Sequence, residues 1–418
     1  MKVLWITNVP FAHHCDMLGL DKSRFTSGTW LYAAYEASQS HEDIELHIVT
    51  TASVSNAQKS KINGTTFHIL PGISAALYNP YSAENERLWQ SLRDEISPDI
   101  VIVWGTETPF AYLGMKTMHG IPMTIYVQGV ISAIYEHYFD GVPHKYHLST
   151  MRDVYDAINP KSYKNLLKKQ LLREREMFKM ASAVMGENDW CIDTCRSINP
   201  ELKYFHNLLP IREIFYQRSW NIDKMRRHTI FTNAGGFSSA IKGHHVLFKA
   251  LAIVKQKFPD VKCFIPGPSI KLFDDIKRRG GYVKYLKKIL QQEGLSENII
   301  YTGTLTSDEI TDYISSCNVY VMPSLVENHS SSRIEAMLMG APVISSMAGG
   351  ATELIVPKKN GLLYNSLDAE SLAGNIIRIF EDDNLAIALS KYAVHLREER
   401  PQNFGQEMIN IYKAMINQ

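Results

Sequence analysis

The stretch Val319-Tyr-Val-Met-Pro323-Ser-Leu-Val-Glu327-Asn-His-Ser-Ser-Ser-Arg333-Ile-Glu335-Ala-Met-Leu-Met-Gly340-Ala-Pro342-Val-Ile-Ser345 contains a whole strand–loop–helix–strand unit. Val319–Pro323 is a short apolar run without polar alternation, the pattern of a strand covered on both faces. A polar loop follows, the spacing predicts a helix over Ser332–Met339, and Pro342–Ser345 opens the next strand. Parallel strands joined by a helix form a right-handed crossover, so one such unit already points to an α/β fold.

The alternation continues in both directions. Strand-like runs precede the stretch at Lys2–Asn8, Glu45–Thr50, Thr65–Leu70, Asp99–Trp104, Met123–Val127, Ala183–Gly186, His228–Asn233, Lys262–Pro266 and Ile299–Thr302. Helical patterns lie between or after them, among them Gly243–Phe258, Tyr282–Glu293, Ser307–Ser316 and Ala369–Phe380. The strands are too many for one comfortable sheet, and the pattern restarts near His228. The reading is therefore two doubly wound, Rossmann-like domains whose strand ends face a cleft. The first spans 1–210 and the second 211–399, with the linker inside Tyr204–Trp220; a helix within 400–418 returns to the first domain.

Composition narrows the class. The 418 residues carry 44 Lys+Arg against 43 Asp+Glu, and 45% hydrophobic residues argue for packed cores rather than disorder. A net charge of +1 gives no reason to expect a nucleic-acid partner. No apolar run reaches the roughly 18–20 residues that span a bilayer. Val3–Thr7 reads as a strand rather than a signal-peptide core, and the five cysteines show no zinc-ribbon spacing, so a reduced, cytoplasmic, metal-free protein is expected. The chain has no Gly-x-x-x-x-Gly-Lys-Ser/Thr loop and no Asp-x-Asp pair in the cleft-forming loops.

The helix that starts near Ser331 or Ser332 offers unpaired N–H groups and the positive end of a helix dipole to a phosphate. Glu335 sits about one turn further, where a carboxylate can accept from two adjacent sugar hydroxyls, and Glu327 lies on the preceding loop. The same residues also read as a capping box, Ser332-x-x-Glu335, beside a solvated Glu327.

Two glutamates with seven residues between them, then Ala336-Met337 and Gly340-Ala-Pro342-Val-Ile344, resemble the signature of family 4 glycosyltransferases with the GT-B fold. Lys242-Gly243 after a strand, Gly303-Thr304-Leu305, Gly349-Gly350-Ala-Thr-Glu353 and Asn360-Gly361 agree in order. Ser27-Gly28-Thr29 and Trp104-Gly105-Thr106-Glu107 match more loosely in the first half. The resemblance implies a retaining transfer of a sugar from a nucleotide diphosphate donor to a saccharide or lipid-linked acceptor, in bacterial surface-polysaccharide synthesis, with no metal or other cofactor. It gives Glu335 the ribose hydroxyls and Glu327 the donor sugar. Lys242, with N–H groups near Ser331 and Ser332, takes the diphosphate; Gly303 and Leu305 form the nucleobase loop, and Gly28 lets its loop approach the distal phosphate.

Two positions depart from that pattern. Phe237 stands where the family usually has a phosphate-binding Arg, and Arg333 is the candidate substitute, although it also reads as a solvent-facing helix residue. Gln128 stands where many relatives carry a His beside the sugar; Gln cannot relay a proton. These departures keep open a pseudo-transferase that binds without turnover, alongside a GT-B epimerase or phosphorylase. Glu107 and His14 follow strands and are further candidates. Residues 161–180 are basic and amphipathic, suited to the inner face of a membrane or to covering a domain core; Lys277-Arg278-Arg279 with Lys284, Lys287 and Lys288 form a second basic cluster.

Overall fold

The computed structural model describes residues 1–19, 29–38, 44–159, 161–235, 240–270, 280–400 and 403–417. The chain forms two compact units: Met1–Tyr135 with Lys161–Pro210 and Pro401–Gln418, and Glu136–Pro160 with Ile211–Arg400. Both are α/β units with a doubly wound sheet.

In the first unit the strands are β1 (Lys2–Thr7), β2 (Glu45–Ala52), β3 (Gln58–Ile62), β4 (Thr65–Pro71), β5 (Ile100–Trp104), β6 (Met123–Tyr126), β7 (Ala183–Gly186) and β8 (Lys203–His206). Among the described residues their order is β3-β4-β2-β1-β5-β6-β7-β8, and every pairing is parallel except β3 with β4. The central β1 and β5 bury Val3 to Ile6 and Ile100 to Trp104, as strands covered on both faces must. The edge strand β3, Gln58-Lys-Ser-Lys-Ile62, leaves Lys59 and Lys61 in water, which blunts an otherwise open edge.

The helix Phe404–Ile416 belongs to this unit, as expected. Its Met408, Tyr412 and Met415 are buried in the cluster that holds Trp5 and Trp104, and the Trp5 indole donates to the Tyr412 hydroxyl at 3.0 Å. The basic helix Tyr163–Met180 turns Met177 and Phe178 into the core and buries Leu167, while Lys164, Lys168 and Lys169 stand outward. Among its described side chains only Leu172 is a strongly exposed large apolar residue, and Leu167, Met177 and Phe178 pack inward. Among the described residues no helix is long and apolar enough to cross a membrane. All five cysteines are buried, and none forms a disulfide.

The second unit has β9 (Thr229–Phe231), β10 (Lys262–Pro266), β11 (Ile299–Gly303), β12 (Val319–Met322), β13 (Val343–Ser346) and β14 (Leu362–Tyr364). Their order among the described residues is β11-β10-β9-β12-β13-β14, all parallel. The helix His244–Lys257 buries Val246, Leu247, Ala250, Leu251 and Val254, a three-and-four spacing that lays one face on the sheet. Residues 136–160, which the sequence reading counts with the first domain, cluster with this unit. Val142 and Tyr146 are buried in its core, the Tyr146 ring lies 5.0 Å from that of Tyr285, and Gly281 N–H donates to Asp153 at 2.7 Å.

Candidate functional site

The parallel strands of the second sheet send their carboxyl ends to one edge, and the loops that follow β9 and β12 are knitted there. Gly243, in the left-handed region at φ 69°, begins the helix His244–Lys257. A Cβ at this position would sit 1.8 Å from the Pro323 carbonyl oxygen, so only glycine permits the approach. Leu325 N–H donates to Ile241 O at 2.7 Å, closing the same contact.

The contact brings together residues 85 apart. Lys242 Nζ lies 2.6 Å from Glu327 Oε1, and Ser324 Oγ donates to that oxygen at 2.8 Å. Burial alone would raise the Glu327 carboxyl; Lys242, the two hydrogen bonds and the Arg333 charge outweigh it and hold the group below its ordinary value. Glu327 is thus an ionised, enclosed carboxylate rather than a solvated loop residue.

The helix after β12 spans Ser331–Leu338 and is capped by Ser330, whose Oγ accepts from Arg333 N–H at 3.4 Å. Its third position is therefore Arg333, so Glu335 does not serve as a capping-box carboxylate as the structural alternative expected. Ser331 and Ser332 occupy the first turn, where helix geometry leaves N–H groups without an intrahelical acceptor. Arg333 does not face solvent: its side chain is fully enclosed, and Nη1 donates to Ser345 Oγ at 3.3 Å. From there it acts on Glu327 through its charge.

Glu335 is buried and meets a residue the sequence reading did not single out. Arg212 Nη2 lies 2.7 Å from Glu335 Oε1, Nη1 donates to Ser307 Oγ at 2.5 Å, and the guanidinium rests 4.7 Å over the Phe215 ring. Burial pushes the Glu335 carboxyl up, with Arg212 opposing. No local pattern marks Arg212; its partner is 123 residues away.

Gly303 ends β11 at φ 78° and accepts from Gly267 N–H at 2.7 Å, while Leu305 is half-buried against the core. Gly350 N–H donates to Asn328 O at 3.3 Å, tying the loop after β13 to the one that carries Glu327.

In the first unit the strand-end residues also gather. Gln128 follows β6, and its Nε2 meets no partner among the described residues. Glu107 follows β5; Asn8, after β1, donates from Nδ2 to Glu107 Oε2 at 3.0 Å and accepts from Thr108 Oγ1 at 2.5 Å. Gly105, at φ 93°, makes room, since a Cβ there would fall 2.0 Å from Glu107 Oε2. Burial pushes the Glu107 carboxyl up to about 8; nearby Glu174 adds to this, while backbone N–H groups and Asn8 oppose it. His14 is an interior group: fully buried, it accepts from Phe11 N–H at 3.0 Å, and burial lowers it to about 3. Gly28, Phe237 and Lys277-Arg278-Arg279 lie outside the described residues.

Comparison with known proteins bears on this arrangement. Residues 216–395 match the family described as glycosyl transferases group 1. A D-inositol 3-phosphate glycosyltransferase of Corynebacterium urealyticum is 25% identical over 179 residues, 42% of this chain and 41% of that protein. In the first curated relatives the match spans 41% to 52% of their length, so the chain matches about half or less of each. Among solved structures, a sucrose-phosphate synthase of Thermosynechococcus elongatus superposes with a TM-score of 0.70 at 15% identity, covering 100% of this chain and 99% of that one. The Anabaena protein HepE, solved with UDP-glucose, gives 0.67 at 16% identity over 99% and 100%. At such identities the likeness carries the fold, that of the GT-B glycosyltransferases.

Proposed function

We propose that the chain is a metal-independent, retaining glycosyltransferase of family 4 type, which takes a sugar from a nucleotide diphosphate donor. The observation that carries this reading is the Lys242–Glu327 pair, held at the carboxyl edge of the second sheet beside the first turn of Ser331–Leu338. Cleaving the sugar–phosphate bond builds negative charge on the departing diphosphate. Lys242 and the N–H groups of Ser331 and Ser332 are fixed donors for that charge. Phosphate that draws Lys242 away frees Glu327, still bonded by Ser324 and under the Arg333 charge, to accept hydroxyls of the donor sugar. Glu335 accepts the ribose hydroxyls, Gly303 and Leu305 receive the base, and Gly28 serves the distal phosphate. Arg333 contributes through its field rather than by contact.

In front-side displacement the leaving phosphate itself takes the acceptor proton, so Gln128 needs only to orient a hydroxyl. The acceptor is a saccharide or a lipid-linked saccharide, and the setting is polysaccharide synthesis at the cytoplasmic face of a membrane. The matched group 1 segment and the UDP-glucose complex of a protein with the same fold support a nucleotide-sugar donor. Gln128 in the usual His position favours one second reading, a pseudo-transferase that binds the donor without turnover. Labelled UDP-, GDP-, ADP- and dTDP-sugars, incubated with and without oligosaccharide acceptors, test the proposal. Transfer or slow hydrolysis with a retained anomer supports it; tight binding with neither supports the second reading, and an isomerised donor indicates an epimerase.

A further inference from the structure

The helix Met151–Ile158 buries none of its side chains. Leu148 just before it is 64% exposed, and along it Met151, Val154, Tyr155 and Ile158 are 80%, 52%, 55% and 76% exposed. Within the helix the spacing of three and four residues gathers Met151, Val154, Tyr155 and Ile158 on one face. What fixes the helix is its start: Thr150 Oγ1 accepts from Asp153 N–H at 3.1 Å, and the Asp153 carboxylate accepts from Ser149, Thr150 and Gly281 N–H groups at 2.9, 2.9 and 2.7 Å. An eight-residue helix falls below the about 12–15 residues at which isolated helices become even marginal in water. A contiguous exposed apolar face on such a helix marks an interaction surface.

Charge around the face selects the partner. Lys145 is exposed just before it, and Lys284 and Lys288 are exposed one turn apart on the helix Gly281–Gln292, whose first residue is bonded to Asp153. Lys284 Nζ reaches Ser149 O at 3.3 Å, which places this lysine beside the helix start. The acids of the segment are occupied or remote. Asp153 serves the N–H groups, Asp156 pairs with Arg152 at 2.7 Å, Asp140 pairs with His137 at 2.5 Å, and Glu136 stands at the segment's other end. An apolar stripe bordered by lysines, with Tyr155 on it, matches the boundary between acyl chains and anionic headgroups.

We propose that the exposed face of Met151–Ile158 is a peripheral docking surface for anionic lipid, with Met151, Val154 and Ile158 entering the headgroup boundary and Lys145, Lys284 and Lys288 on the phosphates. This inference stands whether or not the chain transfers sugar. The test is co-sedimentation of the full chain with vesicles of phosphatidylcholine alone or with about 30% phosphatidylglycerol. Binding is expected only to the anionic vesicles, with a fall of about tenfold when salt is raised from low to several hundred millimolar. Val154→Ser with Ile158→Ser and, separately, Lys284→Gln with Lys288→Gln should each cut the bound fraction about tenfold with the melting temperature unchanged. Equal binding by these variants, or none by the parent chain, overturns the proposal. So does sedimentation velocity showing a dimer that the Ser variant dissolves while vesicles stay unbound, because the face would then join two copies of the chain.

Discussion

Lys242 and Glu327 form an ion pair whose geometry depends on a backbone contact one residue away, between Gly243 and the Pro323 carbonyl. In the proposed scheme the pair occupies the groups that a diphosphate and a sugar would claim, so donor binding would be an exchange of partners rather than a simple addition. Removing one member exposes the other. Lys242→Met should lower transfer by roughly 10–100-fold, as expected for a lost bond to a charged group. Glu327→Gln should also impair transfer, and the double variant should lose less than the product of the two, because neither remaining group is left facing a missing partner. Single-turnover rates of the three variants check this; strictly multiplicative losses would show that the residues act independently.

Gly243→Ala tests the knitting of the two loops. The backbone sits at φ 69°, and the added Cβ would meet a carbonyl oxygen that cannot swing aside. A loss of about 2–4 kcal/mol is expected in denaturant unfolding, with donor binding lost in parallel. A neutral outcome would mean that the loop after β12 can retreat.

Glu335 reads ribose in the proposed scheme, which predicts a difference between nucleotides. The parent chain should bind a nucleoside diphosphate about 10–100-fold more tightly than its 2′,3′-dideoxy analogue, since the analogue cannot donate to the buried carboxylate. Glu335→Ala should bind both alike. Arg212→Met should weaken the nucleoside diphosphate as well, by removing the cation that opposes the burial-driven rise of Glu335. Calorimetric titration of the two ligands against the three proteins decides it.

Glu107 gives a dependence on pH. Its folded-state value of about 8 lies above the ordinary carboxyl value, so the folded first unit holds a proton that the unfolded chain releases. The associated stability is fully present below the ordinary carboxyl range and is lost as pH rises through about 8. Glu107→Gln should flatten that fall, leaving the variant on the order of 1–3 kcal/mol more stable than the parent at pH about 9, relative to their difference at pH about 4. Parallel denaturant curves at the two pH values measure it; identical slopes with pH would place the proton elsewhere.

The fold was legible wherever strands are buried on both faces, because runs such as Ile100–Trp104 and Val319–Met322 have no polar alternation to confuse them. Edges were not. In β3 lysines alternate with smaller residues, and β8 lies in a stretch of mixed polarity that reads as a linker. Lys242, Glu327 and the start of the helix Ser331–Leu338 stood out because their strand, loop and helix pattern resembles the family signature. Arg212 was not, since it meets Glu335 only through the tertiary fold, and no spacing in the chain encodes a bond across 123 residues. The same holds for Arg333, whose position on an amphipathic helix suits water as well as the interior it occupies.

The main chain passes from one unit to the other at Tyr135–Glu136, Pro160–Lys161, Pro210–Ile211 and Arg400–Pro401. No single cut can therefore release an autonomous half. A fragment ending at residue 210 would carry Glu136–Pro160 without the Tyr285 and Gly281 surroundings that hold it, and would lack the Tyr412 that caps Trp5. Anyone dissecting this protein should expect a fragment that stops at residue 210 to leave Trp5 and Trp104 without the Met408, Tyr412 and Met415 side chains that pack on them.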